Sequence, residues 1–125
     1  MMITYKVKVD DKGTKRWYNE KDELHRLDGP AIEYSDGDKS WWQNDRFHRL
    51  DGPAVDHIDG YKAWWVNGQL HRLDGPAVEY ANGAKEWFIE DIEYTEEEFK
   101  AKIDKMNRPC IGKKIVVDGV EYTLA

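Results

Sequence analysis

The sequence predicts a mainly β protein: an elongated antiparallel meander of 23-residue hairpin repeats, finished by a C-terminal helix and a small β-hairpin cap. Three observations predict it. The block His25-Arg26-Leu27-Asp28-Gly29-Pro30-Ala31 recurs from His48 to Ala54 and from His71 to Ala77, 23 residues further on each time. Between the blocks a second pattern keeps the same register: Asp36-Gly37-x-Lys39-x-Trp41-Trp42, then Asp59-Gly60-x-Lys62-x-Trp64-Trp65, then Asn82-Gly83-x-Lys85-x-Trp87-Phe88. Six Trp and seven Tyr in 125 residues call for an architecture that seats large rings at regular intervals. A fixed period of this length is the signature of stacked supersecondary units, none of which can bury its own apolar face.

Each unit reads as short strands separated by turns. Ala-Ile/Val-Glu/Asp-Tyr/His leads into Asp-Gly or Asn-Gly, whose ready positive φ suits a hairpin turn. The return strand, Lys-x-Trp-aromatic, is rich in residues that fit a pleated, half-buried surface. Asn67-Gly68 marks a second turn and Asp-Gly-Pro a third, so the connections are hairpins and not crossovers. Pro30, Pro53 and Pro76 lack an N–H and belong at strand starts or edges. A half copy, Gly13-x-Lys15-x-Trp17-Tyr18, precedes the full ones. The array is expected over residues 1–94, as a half repeat at 13–24 and repeats at 25–47, 48–70 and 71–94.

Residues 95–125 have a different grammar. Thr95-Glu96-Glu97-Glu98 is a capping box that opens a helix to about Met106, with Phe99, Ile103 and Met106 on one stripe. Pro109 and Gly112 end that segment, and Ile115 to Tyr122 form a hairpin on the Asp118-Gly119 turn. Such an atypical terminus is expected to dock on the last repeat and hide its apolar end.

Alternation along the return strand divides the aromatic pairs. Trp17, Trp41, Trp64 and Trp87 are expected on one face with Lys15, Lys39, Lys62 and Lys85, and Tyr18, Trp42, Trp65 and Phe88 on the other. The lysine row marks the first face as the more open one, because lysine is almost never fully buried.

The charge balance, 19 Lys+Arg against 25 Asp+Glu, argues against nucleic acid or anionic membrane as a partner, since both select a basic excess. The lone Cys110 cannot close an internal disulfide. The N-terminal residues carry no apolar run of signal-peptide length, so a cytoplasmic location is expected.

The order Asp59-Gly60, Trp64 or Trp65, Asn67-Gly68, His71 resembles the Membrane Occupation and Recognition Nexus repeat. The chain departs from it where His-Gly-x-Gly is replaced by His-Arg-Leu-Asp-Gly-Pro-Ala, and lipid binding is not carried over. Residues 13–106 are more similar to short phage and bacterial proteins built from His-Arg-x-Asp-Gly-Pro-Ala units. Many of those end in a Thr-x-Glu-Glu-Phe helix, matched here by Thr95 to Phe99. That resemblance implies a viral accessory protein acting inside an infected bacterium, and it brings no catalytic residues.

His25, Arg26 and Asp28, with their copies His48, Arg49, Asp51 and His71, Arg72, Asp74, combine imidazole, guanidinium and carboxylate. A constellation present in every unit is best explained by what every unit shares, its turn; an active site is one asymmetric arrangement. The three histidines lie about a hairpin's width apart, roughly twice the ~4.8 Å strand spacing, which is too far for one metal. No catalytic group, metal or cofactor is therefore expected. Binding candidates are the Trp/Lys face, Trp41, Trp64, Trp87, Lys39, Lys62 and Lys85, where rings and cations would hold a partner. His57 and Tyr61 join them because they stand where the copies disagree. The leading expectation is a non-enzymatic binding module, a phage anti-defence or host-takeover factor that binds a host protein. A sponge for a nucleotide-derived signal is the alternative, and a structural protein that self-associates through sheet edges is the third.

Overall fold

The computed structural model describes residues 5–107, together with the backbone of the strands Lys114–Val117 and Val120–Thr123. The chain is mainly β, and two compact units divide it, Met1–Glu93 and Tyr94–Ala125.

In the first unit, nine strands pair in one meandering sheet. In spatial order they are Lys6–Val9, Lys15–Tyr18, Ile32–Glu33, Lys39–Ser40, Val55–Asp56, Lys62–Ala63, Val78–Glu79, Lys85–Ile89 and Ile92–Tyr94. The chain leaves this sheet after Ser40 and after Ala63 to form short side hairpins, Trp42–Gln43 with Arg46–Phe47 and Trp65–Val66 with Gln69–Leu70. Trp41 and Trp64 sit at these departures. Each keeps its backbone bonded on both sides, donating to Ala54 or Ala77 and accepting from His48 or His71.

Two turn chemistries alternate. At the tips of the main hairpins, Gly37, Gly60 and Gly83 take φ of 101°, 105° and 90°. The preceding Asp36, Asp59 and Asn82 each accept the N–H two residues on. This is the glycine-bulged turn that Asp-Gly and Asn-Gly favour. The two side hairpins and the last hairpin of the main sheet turn through two consecutive left-handed residues, Asn44-Asp45, Asn67-Gly68 and Glu90-Asp91. Only the middle pair has the glycine that makes this legible in sequence. Asp45 and Asp91 offset their backbone strain by accepting the Leu24 and Leu70 N–H groups at 2.6 and 2.7 Å.

Register places Ile32, Ser40, Val55, Ala63 and Val78 opposite one another across five successive strands, and all five are buried. Phe47, Tyr61, Trp65, Leu70 and Phe88 pack on the Val55, Ala63 and Val78 part of this row. Trp42 stacks on Phe47 at 4.0 Å, and Phe47 meets Trp65 at 5.3 Å. Trp65 and Phe88, the second aromatics of their pairs, thus pack on the core, and Trp42 joins it through Phe47.

One core difference between copies carries a prediction. Trp42 donates its indole N–H to the Ser40 hydroxyl at 2.8 Å, whereas Ala63 stands in the equivalent place below Trp65, whose buried Nε1 finds no acceptor. A buried donor left unpaired costs about 1–3 kcal/mol. Ala63→Ser should therefore raise stability by about 1 kcal/mol in urea denaturation, and Ser40→Ala should lower it by a similar amount.

In the second unit the helix spans Glu96–Asn107. Its capping box is formed: Thr95 Oγ1 accepts the Glu98 N–H at 3.1 Å and Glu98 returns the bond to the Thr95 N–H at 2.9 Å. Phe99 is buried, Ile103 half-buried and Met106 exposed. The strands Lys114–Val117 and Val120–Thr123 pair antiparallel as expected. The Asp118-Gly119 turn, the Pro109 and Gly112 stop and Cys110 lie outside the described residues.

Candidate functional site

Each His-Arg-Leu-Asp-Gly-Pro block is a clasp between neighbouring units. The histidine Nδ1 accepts a backbone N–H from the next left-handed two-residue turn: His25 from Asn44, His48 from Asn67 and His71 from Glu90, at 3.0–3.1 Å. Those acceptors leave the neutral rings with the proton on Nε2. The arginine Cζ lies over the ring of the first Trp of the preceding pair, with Arg26 4.0 Å from the Trp17 centroid, and Arg49 and Arg72 3.8 Å from those of Trp41 and Trp64. Its Nε binds Asp28, Asp51 or Asp74 at 2.8–2.9 Å, and one Nη binds the carbonyl of Pro30, Pro53 or Pro76. The charge and hydrogen bond of Arg49 hold the Asp51 carboxyl below its ordinary range.

The glycine of the block serves the same clasp. None of Gly29, Gly52 and Gly75 is left-handed, so a positive φ is not what selects glycine there. A β-carbon on them would stand 3.0, 2.8 and 2.9 Å from the arginine Cζ. Glycine is present because the guanidinium lies against its backbone.

Between successive clasps run two equivalent grooves. One, of about 620 Å³, is bounded by Arg49, Leu50 and Asp51 on one side and His71, Arg72 and Leu73 on the other, with Trp64 in its lining. The other, about 450 Å³, repeats the arrangement one unit earlier around Trp41. Leu27, Leu50 and Leu73 project beside them at 52%, 80% and 42% exposure. Sequence reasoning missed these leucines; the available signal was an apolar residue held between Arg and Asp inside a turn.

The candidate residues do not form one site. Trp41 and Trp64 line the grooves. Lys39 and Lys62 share their face but stand in a cross-strand charge row, Lys15–Glu33–Lys39–Asp56–Lys62–Glu79–Lys85, where Lys62 binds Asp56 at 3.1 Å. The cation seated on each ring is arginine, not lysine. Trp87 is half-buried and follows the last block: Tyr94-Thr95 stand where a further His-Arg would.

His57 and Tyr61 lie apart, at the tips of the main hairpins, where with Tyr80 they border a shallow hollow of about 480 Å³. Tyr61 is 5.3 Å from His57 and 5.6 Å from Tyr80. Tyr80 donates to Glu86 at 2.6 Å, and that bond pushes its phenol up to about 12. Ionisation would set a phenolate beside a carboxylate. The stabilisation is fully present below the ordinary phenol value of 10.0 and is lost as pH climbs from there through about 12. Wild type should therefore lose more stability than Tyr80→Phe across that window in denaturant melts. Equal losses would show that the bond contributes nothing.

Among the described residues no group of three His, Cys, Asp or Glu side chains is placed to hold a metal ion, and no helix is long and apolar enough to cross a membrane. Sheet, clasps and grooves together define a β-hairpin repeat protein with a periodic surface. No protein-family model, curated protein or solved structure matches the chain.

Proposed function

We propose that this chain is a non-enzymatic binding module that grips a host protein along the row of clasps. The observation that carries this reading is the pair of equivalent grooves, each combining an exposed leucine, a Trp-seated arginine and a free carboxylate edge. Such mixed surfaces, aromatic and arginine-rich with apolar projections, are where binding energy concentrates. The similarity of the repeat to phage and bacterial units supports an accessory role in an infected cell, as an anti-defence or host-takeover factor.

Two features favour a protein partner over a nucleotide sponge. Arg49 and Arg72 already cover one face of Trp41 and Trp64, the surface a base would stack on. The grooves also carry Asp51 and Asp74, which repel the multiple charges of a nucleotide's phosphates more strongly than the single charge of a carboxylate. The histidines spend Nδ1 on backbone, which speaks for a structural use and against acid–base work.

Affinity capture from a bacterial lysate tests the reading. Leu50→Asp and Leu73→Asp should fold, because both side chains are exposed, and should lose the captured partner at least tenfold. Undiminished capture by both variants would place the partner surface elsewhere.

A further inference from the structure

The three clasps are alike in backbone but not in charge. Arg26 binds Asp28 and, through Nη1, Glu33 at 3.0 Å. Arg72 binds Asp74 and, through Nη1, Glu79 at 2.9 Å. Among the described residues Arg49 has, besides the Pro53 carbonyl, a single carboxylate, Asp51, because the position seven residues on is Asp56, one methylene shorter and drawn to Lys62 at 3.1 Å. Its side chain is 22% exposed and lies against Trp41, so most of its hydration is gone, while Asp51, its single carboxylate, is 86% exposed. A guanidinium has five donors in a fixed fork, and a partly desolvated one favours a second carboxylate over water. Arg49 also lines both grooves, facing Arg72 across one and Arg26 across the other.

We infer that Arg49 is a carboxylate-receiving site, taking an acidic side chain from an extended partner segment whose apolar neighbours rest on Leu50. The incoming carboxylate fills the place that Glu33 and Glu79 occupy in the outer clasps. This deepens the proposed function and rests on it, naming acidic-apolar peptide as the partner's chemistry at the central unit. The shortening of one side chain, Glu to Asp, opens the site, and the neighbouring Lys62 holds that shortened carboxylate away from the fork.

The site can be closed by restoring the missing methylene. The probes are the terminally blocked tripeptides Leu-Glu-Leu and Leu-Gln-Leu, and inorganic phosphate, titrated into the ¹⁵N-labelled full chain. Leu-Glu-Leu should shift the Arg49 Nε–H and Trp41 indole signals, with Leu-Gln-Leu at least tenfold weaker. Asp56→Glu should keep the folded spectrum and weaken Leu-Glu-Leu at least tenfold. Glu79→Asp should open a second site, read at the Arg72 Nε–H. Equal binding by Asp56→Glu, equal binding of the two tripeptides, or stronger shifts with phosphate than with Leu-Glu-Leu would each overturn the assignment. Loss of lysate capture on Leu50→Asp with no effect of Asp56→Glu on the titration would overturn this site alone and leave the broader function standing.

Discussion

Trp65→Ala should destabilise the chain by about 3–5 kcal/mol, the cost of emptying a large aromatic site in a core. Trp65 packs on Val55, Ala63 and Val78 and links by its ring to Phe47, so its removal opens a void between adjacent units. Its neighbour Trp64 points to the other face and serves as the platform for Arg72. Trp64→Ala should cost less, about 1–2 kcal/mol, from a cation–π contact and the looser arginine that follows. Urea denaturation of both variants checks the difference. Equal losses would mean that the two faces of the sheet are not unequal in burial.

Gly52→Val is expected to cost roughly 1–3 kcal/mol, although the backbone there is not left-handed. The added carbon would meet Arg49 Cζ at 2.8 Å and drive the guanidinium off Trp41, away from Asp51 and the Pro53 carbonyl. The mechanism predicts its own control. In an Arg49→Ala background the same substitution has nothing to displace, so its cost should fall to a few tenths of a kcal/mol, a coupling that a double-mutant cycle reads directly. A penalty that persists undiminished without Arg49 would return the explanation to backbone conformation.

Period-2 alternation and the 23-residue register were enough to separate core rings from groove rings, because both depend only on chain order. The capping box at Thr95 was equally legible, being local. What escaped was contact between units. The lysines two residues before each Trp drew the reading toward Lys–aromatic pairing, yet alternation sends them into a row of cross-strand carboxylates. The arginine that does sit on Trp41 comes eight residues later, from the following block, at a distance that no strand period predicts. The left-handed turns at Asn44-Asp45 and Glu90-Asp91 escaped for a related reason. They lack glycine, and part of what stabilises them is an aspartate bonding a residue 21 positions earlier. The unmatched Arg49 becomes visible only when the outer clasps are compared with it in three dimensions.

The His-Arg-x-Asp-Gly-Pro blocks join neighbouring repeats and leave the grooves between them open. Long-range ¹H–¹⁵N correlation of the imidazoles at neutral pH reads this use directly, since Nδ1 of His25, His48 and His71 must be a lone-pair acceptor for Asn44, Asn67 and Glu90. All three rings should appear as the Nε2–H tautomer, each with Nδ1 coupled to a hydrogen-bonded backbone amide. A proton on Nδ1, or the rapidly averaged pattern of a free imidazole, in any of the three would contradict the clasp and reopen these residues to chemistry.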